Sequence, residues 1–82
     1  MNRRKLLKRA LAGSRNIRVS DMLGLVEGFG FHLTRTSGSH HVFAHPDLPA
    51  LVNLQEVKGQ AKPYQVGQFM RLVERYNLRL EE

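Results

Sequence analysis

Apolar residues at helical spacing predict two amphipathic helices. The first is expected to follow Ser20, a favourable N-cap residue, with its buried stripe at Met22, Leu25, Val26 and Phe29. The second is expected to begin at Pro63, because the proline ring already holds the φ of a first helical position. Its buried stripe is expected to consist of Val66, Phe69, Met70 and Val73.

Alternating apolar and polar residues between these helices predict three short strands, over residues 31–36, 40–45 and 51–54. Phe31, Leu33 and Phe43 are expected to face the core. The opposite face is then expected to carry His32, Thr34, Thr36, His40, Val42 and Ala44. A hairpin turn is predicted at residues 37–39, and a polar loop over residues 55–62.

The order of these elements predicts an α+β fold with a three-stranded antiparallel sheet and two helices on one face. A short basic helix is also predicted over residues 2–11, where Leu7, Ala10 and Leu11 share one face. We therefore divide the chain into a basic N-terminal arm, residues 1–18, and one domain, residues 19–82. At 82 residues, such a domain has little material for a deep cleft, so a shallow site is expected.

Positive charge is concentrated in the arm. Residues 1–18 hold seven of the 13 Lys and Arg residues and no acid, whereas residues 19–82 hold six basic and seven acidic residues. Such an arm is attracted to polyanions, because each neutralised phosphate releases condensed counterions. Ribosome, messenger RNA, DNA and anionic membrane all carry such charge, and the residues expected to form an RNA-binding arm are Arg3, Arg4, Lys5, Lys8 and Arg9.

Composition excludes several classes of protein. The chain has no cysteine, which excludes disulfides, thiolate zinc sites and a cysteine nucleophile and makes a cytoplasmic location the expectation. The apolar run after the N-terminal basic residues is too short for a secretion signal, and no stretch approaches the ~18 apolar residues that span a bilayer. Neither a membrane nor a small-molecule cofactor is expected as a partner.

Three of the four histidines, His40, His41 and His45, fall within six residues. Strand alternation places His40 on the solvent face beside a glycine turn, where its imidazole is suited to proton transfer near neutral pH. A surface histidine without a role is the alternative. A metal site is disfavoured because His40 and His41 point to opposite faces and no cysteine supports them. His41 and His45 are interpreted as structural or incidental.

At Gly28–Phe29, Arg35, Gly38–Ser39–His40 and Phe43, and again at residues 53–55 and 62–65, the sequence resembles the HicA (YcfA-like) family of toxin mRNA interferases. The resemblance implies a fold like that of double-stranded RNA-binding domains (α-β-β-β-α) and an endoribonuclease that acts on mRNA without a metal. It also implies inhibition by a cognate HicB-type antitoxin. The catalytic histidine of the family corresponds to His40, which would act as general acid or base while RNA supplies its own 2′-hydroxyl nucleophile.

Substrate contacts are expected at the turn residues Gly38 and Ser39, and at Arg35, Lys58 and Lys62, whose cations could stabilise charge on the phosphate. The chain departs from the family at Leu54–Gln55, where many members carry a proline and a basic residue or histidine at the end of the third strand. Two other functions stay open: a non-catalytic RNA-binding or ribosome-associated module, and a protein-interaction domain.

Overall fold

The computed structural model describes residues 2–13 and 16–81, so Arg15 of the basic arm and Glu82 lie outside the described residues. The elements are, in chain order, α1 (Arg3–Leu11), α2 (Val19–Gly28), β1 (His32–Ser37), β2 (His40–Ala44), β3 (Leu51–Val57), β4 (Gln60–Ala61) and α3 (Pro63–Arg75). The strands form one antiparallel sheet in the order β1-β2-β3-β4. The α+β class is confirmed.

The predicted count of three strands is wrong, because the segment expected to be a loop over residues 55–62 contains a second hairpin. β3 continues to Val57, and β4 follows after a turn of two residues, Lys58 and Gly59. Both turn residues have a positive φ, 53° and 79°, as the tight turns preferred by hairpins require. The segment before α2 adds to this edge, since Ala61 N–H donates to Ile17 C=O (2.9 Å) and Val19 N–H to Gly59 C=O (3.0 Å).

The helices follow the predicted stripes closely. Pro63 is the first residue of α3, as predicted, and α2 buries its whole predicted stripe. The predicted N-cap of α2 is wrong: the cap is Arg18, which makes no side-chain hydrogen bond to the helix, and Ser20 lies inside the first turn. The helix starts earlier because Val19 also has a buried site to fill.

α1 is present as predicted, but it buries a different face. Leu6 is 2% exposed and Ala10 is also buried, whereas Leu11 lies at the surface. Both buried residues belong to the same hydrophobic cluster as α2, α3 and the sheet, and Ile17 joins them after the helix. The basic helix is therefore packed onto the core. The boundary at residue 18 stays a prediction.

The sheet has one buried and one open face. Phe43, Val52 and Leu54 point toward the helices and are buried, whereas His40 and Asn53 on the other side are exposed. Because one face is covered by helices and the other meets solvent, any site on the sheet is a flat surface. No helix within the described residues is long and apolar enough to cross a bilayer.

A β-bulge in β1 changes the predicted faces. Leu33 lies opposite Phe43, but the next paired residue, Arg35, lies opposite Val42, which leaves Thr34 as the extra residue. Beyond the bulge the alternation is reversed, so Thr36 faces the helix side opposite His41, contrary to the prediction, and Arg35 faces the open side. Leu33, expected in the core, remains 47% exposed at this edge of the sheet.

Candidate active site

His40 is the first residue of β2 and follows the turn formed by Gly38 and Ser39. It is exposed on the open face, where Ser37 lies opposite it in β1 and Gln55 lies opposite it in β3. Gly38 has a φ of +58°, which suits glycine, and a side chain added there would meet no atom within 4 Å. The turn is therefore both tight and open above, so a large substrate could reach His40.

The imidazole of His40 has one neighbour that orients it. Its Nδ1 lies 3.4 Å from Asn53 Oδ1, and Asn53 is in β3, diagonal to His40 on the same face. With Nδ1 donating to the amide oxygen, the Nε2 atom keeps its lone pair and can accept a proton. The arrangement is suited to a general base at Nε2.

Gln55 is held firmly beside His40. Glu56 N–H donates to Ser39 C=O (2.9 Å), which makes Gln55 and His40 a non-hydrogen-bonded pair with closely spaced side chains. The backbone groups of Gln55 point away from β2, where its N–H donates to Gln65 Oε1 (2.6 Å) and its C=O accepts from Lys62 N–H (3.3 Å). The start of α3 thus supports the rung of the sheet that carries His40.

Arg35 joins His40 on the open face because of the bulge. It lies opposite Val42, two residues from His40 along β2, and such diagonal neighbours are about 7–8 Å apart. The guanidinium of an exposed arginine can reach across that separation to a phosphate bound at His40. The structure therefore brings two of the predicted site residues together.

Lys58 and Lys62 flank β4, the edge strand of the sheet, and line the same depression. Lys58 is at the tip of the β3–β4 turn, three residues beyond Gln55 and so roughly 10 Å farther along the strand. Lys62 precedes α3, and both lysines line a shallow depression of about 360 Å³ together with Asn16, Val57, Gln60, Ala61 and Pro63. Lys58 is thus separated from His40, whereas the backbone of Lys62 is hydrogen-bonded to Gln55, the residue opposite His40.

The other three histidines lie away from the site, and within residues 2–13 and 16–81 only His45 among them makes a hydrogen bond and a ring contact. His45 packs against the Phe31 ring (5.0 Å between centroids), and its Nδ1 accepts a hydrogen bond from Asp47 N–H (3.0 Å). His41 faces the helix side, and its buried Nδ1 has no hydrogen-bond partner among the described residues. His32 is exposed at the far end of β1, opposite Ala44.

Two of the basic residues of α1 hold the helix against the rest of the protein. Arg3 Nη1 donates to Glu81 C=O (3.1 Å) and Arg9 Nη2 donates to Asn16 C=O (2.9 Å), so both secure α1 to the rest of the protein. Arg4, Lys5 and Lys8 are exposed. Residues 2–13 and 16–81 contain no cluster of three or more His, Asp or Glu side chains arranged to hold a metal ion.

Sequence reasoning named no role for Asn53 or Gln65 at this site. Asn53 could have been found by pairing β2 with β3, since the strand register alone places its side chain next to His40. Gln65 follows Pro63 and Tyr64 in the first turn of a helix, a position that looks solvent-exposed, yet it is only 5% exposed. No local pattern predicts that the side-chain amide of Gln65 accepts the hydrogen bond from Gln55 N–H that a neighbouring strand would otherwise accept.

Comparison with known proteins assigns the chain to a family. Residues 19–74 match a family model described as the HicA toxin of bacterial toxin-antitoxin systems. No curated protein and no solved structure gives a significant match. The matched segment covers more than half of the chain and includes α2, the four strands, the His40 turn and all but the last residue of α3. The chain therefore belongs to the HicA family of toxins of bacterial toxin-antitoxin systems.

Proposed function

We propose that this toxin is a metal-independent endoribonuclease that cleaves mRNA, with His40 as its general acid/base. The observation that carries the proposal is the position of His40: exposed on an open sheet face, with Nδ1 against Asn53 Oδ1 and Nε2 available to a substrate. A flat face suits a polynucleotide better than a small molecule, which would need an enclosing pocket. Helices on one face of an antiparallel sheet also suit the proposed likeness to double-stranded RNA-binding domains.

The reaction uses a nucleophile that RNA itself supplies. Nε2 of His40 takes the proton of a ribose 2′-hydroxyl, the 2′-oxygen forms a bond to the adjacent phosphorus, and the bond from phosphorus to the 5′-oxygen breaks. The departing 5′-oxygen receives a proton from water or from the imidazolium. The products are a 2′,3′-cyclic phosphate and a 5′-hydroxyl, so the step needs neither a metal nor a cofactor.

Arg35 provides the charge that this step requires. Negative charge grows on the non-bridging phosphate oxygens as the fifth bond to phosphorus forms, and a nearby cation lowers the energy of that state. Arg35 shares the open face with His40 and lies two residue pairs away along the strands. Gly38 and Ser39 shape the turn next to the reacting ribose, and the side chains of Ser37 and Gln55 flank it.

Membership of a toxin-antitoxin family implies an antitoxin partner. We propose that this partner is of the HicB type and that toxin and target meet in the cytoplasm. The exposed basic residues of α1, Arg4, Lys5 and Lys8, would then attract mRNA before cleavage.

Cleavage of a defined RNA by the purified protein in excess chelator tests the proposal. We expect fragments that end in a 2′,3′-cyclic phosphate and begin with a 5′-hydroxyl. The same sequence with every 2′-hydroxyl methylated should remain intact, because it has no nucleophile. Cutting of the methylated RNA, or fragments with 5′-phosphates, would exclude this mechanism.

One observation favours a second function, a non-catalytic RNA-binding module. Gln55 lies directly opposite His40, within the pair Leu54–Gln55 where many members of the family carry a proline and a basic residue or histidine. A neutral amide can neither donate a proton to the leaving oxygen nor neutralise phosphate charge. If the intact protein binds RNA without cutting it and Gln55→His creates cleavage, the second function is the correct one.

A further inference from the structure

Tyr64 is the most exposed of the phenylalanine and tyrosine rings, all of which lie in the described residues. The four phenylalanines are buried and Tyr76 is partly buried, whereas Tyr64 is 58% exposed in the first turn of α3. A ring left in water in so small a protein contributes little to the core. Its surroundings therefore decide what it could contact.

Two features connect Tyr64 to the site on the sheet. The neighbouring Gln65 donates from Nε2 to Tyr64 Oη (3.5 Å), and Gln65 Oε1 accepts from the N–H of Gln55, the residue opposite His40. The ring therefore lies at the edge of the sheet that a bound RNA strand would reach after it crosses the open face past His40. Starting at His40, that path crosses to Gln55 in β3 and then to Tyr64 at the start of α3.

Positive charge lies close to the Tyr64 ring. Lys62 Nζ lies 5.8 Å from the ring centroid, and Lys62 shares the neighbouring depression with Lys58. An exposed aromatic ring next to cations is the combination by which proteins bind single-stranded nucleic acids: bases stack on the ring while the cations contact the backbone. A protein partner would need a larger apolar surface than one ring provides.

We propose that Tyr64, Lys62 and Lys58 form a nucleotide subsite next to the cleavage site, in which an unpaired base of the RNA stacks on Tyr64. The lysines bind the phosphate that follows this base. This inference rests on the proposed function and adds that the substrate must be single-stranded at this nucleotide, since a paired base has no free face to offer. The two lysines thus act in holding the RNA, while Arg35 acts at the reacting phosphate.

Binding of a short, labelled single-stranded RNA to the His40→Ala protein, followed by fluorescence anisotropy, tests the subsite. Loss of one stacked base should weaken binding about 5- to 150-fold in Tyr64→Leu. Tyr64→Phe keeps the ring and should restore the affinity. Leu11→Ala, which removes an exposed apolar side chain from α1, is the matched control and should bind like the parent.

A structural role for Tyr64 is separated from stacking by abasic RNA. One abasic position should weaken binding to the parent by the same factor as Tyr64→Leu, and the two changes together should cost no more than either alone. If every abasic position and Tyr64→Leu act independently, the subsite is wrong. If the wild type cleaves RNA but Tyr64→Leu binds with unchanged affinity, the subsite is wrong and the nuclease proposal stands. If the losses of affinity from Tyr64→Leu and the abasic position are coupled but the wild type does not cleave RNA, only the nuclease proposal is wrong.

Discussion

Arg35 and His40 project from the same face of the sheet, although Leu33, two residues before Arg35, is paired on the helix side. A regular strand would give Leu33 and Arg35 the same face, so the single extra residue at Thr34 is what places Arg35 on the face of His40. Bulges are frequent next to active sites, where they redirect side chains.

Arg35→Ala should therefore slow RNA cleavage by about 10²-fold, the usual cost of losing one group that stabilises transition-state charge. Arg35→Lys should recover part of the rate, since it keeps the charge but not the paired donors. Single-turnover rates measure the effect, with Arg71→Ala on the outer side of α3 as the control. Wild-type cleavage by Arg35→Ala would remove Arg35 from the reaction.

Gln65 should prove important for stability although it carries no charge. Gln65→Leu leaves the N–H of Gln55 without its acceptor, and a buried donor of this kind costs about 1–3 kcal/mol in free energy of unfolding. Gln68→Leu, three residues later and exposed, should change stability by less than about 0.5 kcal/mol. Urea unfolding of both variants checks this, and equal midpoints would mean that the 2.6 Å hydrogen bond contributes nothing.

His41 should behave in the opposite way from His40. Its Nδ1 is buried without a partner, so His41→Leu removes an unsatisfied polar group and should leave the free energy of unfolding equal or raised, by up to about 1–3 kcal/mol. Cleavage should persist because the side chain faces the helices. Thermal unfolding and an RNA cleavage assay measure both effects, and a loss of activity beyond tenfold in a folded His41→Leu would give His41 a share in the chemistry.

The charge and the packing of α1 should be separable. Lys5→Gln with Lys8→Gln should keep the protein folded but weaken RNA binding and reduce the slope of log affinity against log salt by about 1.4 for two lost phosphate contacts. Leu6→Ala should instead cost about 2–5 kcal/mol of stability, because Leu6 is fully enclosed in the core. Titrations at several salt concentrations check the first effect; an unchanged slope would mean that the helix does not touch RNA.

Much of the fold follows from side-chain periodicity, because each predicted stripe is a response to one buried surface. Met22, Leu25, Val26 and Phe29 all reach the core, and Pro63 marks the start of α3 as its ring geometry requires. The exposed position of His40 could be derived in the same way, since Phe43 three residues later fixes the phase of a regular strand.

The remaining features depend on contacts between distant segments. The β3–β4 turn places Lys58 in a left-handed conformation that lysine does not favour, so the lysine itself does not predict a turn. The bulge at Thr34 cannot be predicted from the sequence either, because threonine fits either face of a strand. Asn53 and Gln65 acquire their roles only when β2, β3 and α3 come together.

The single-turnover rate of RNA cleavage in His40→Ala, set against that in His32→Ala, tests most directly whether His40 is the catalytic residue. His32 is also an exposed histidine on this sheet, but it lies at the far end of β1. We predict that His40→Ala loses at least about 10²-fold in rate while it keeps its fold and RNA affinity, and that His32→Ala cleaves like the wild type. A folded His40→Ala protein that cleaves at the wild-type rate would contradict the account.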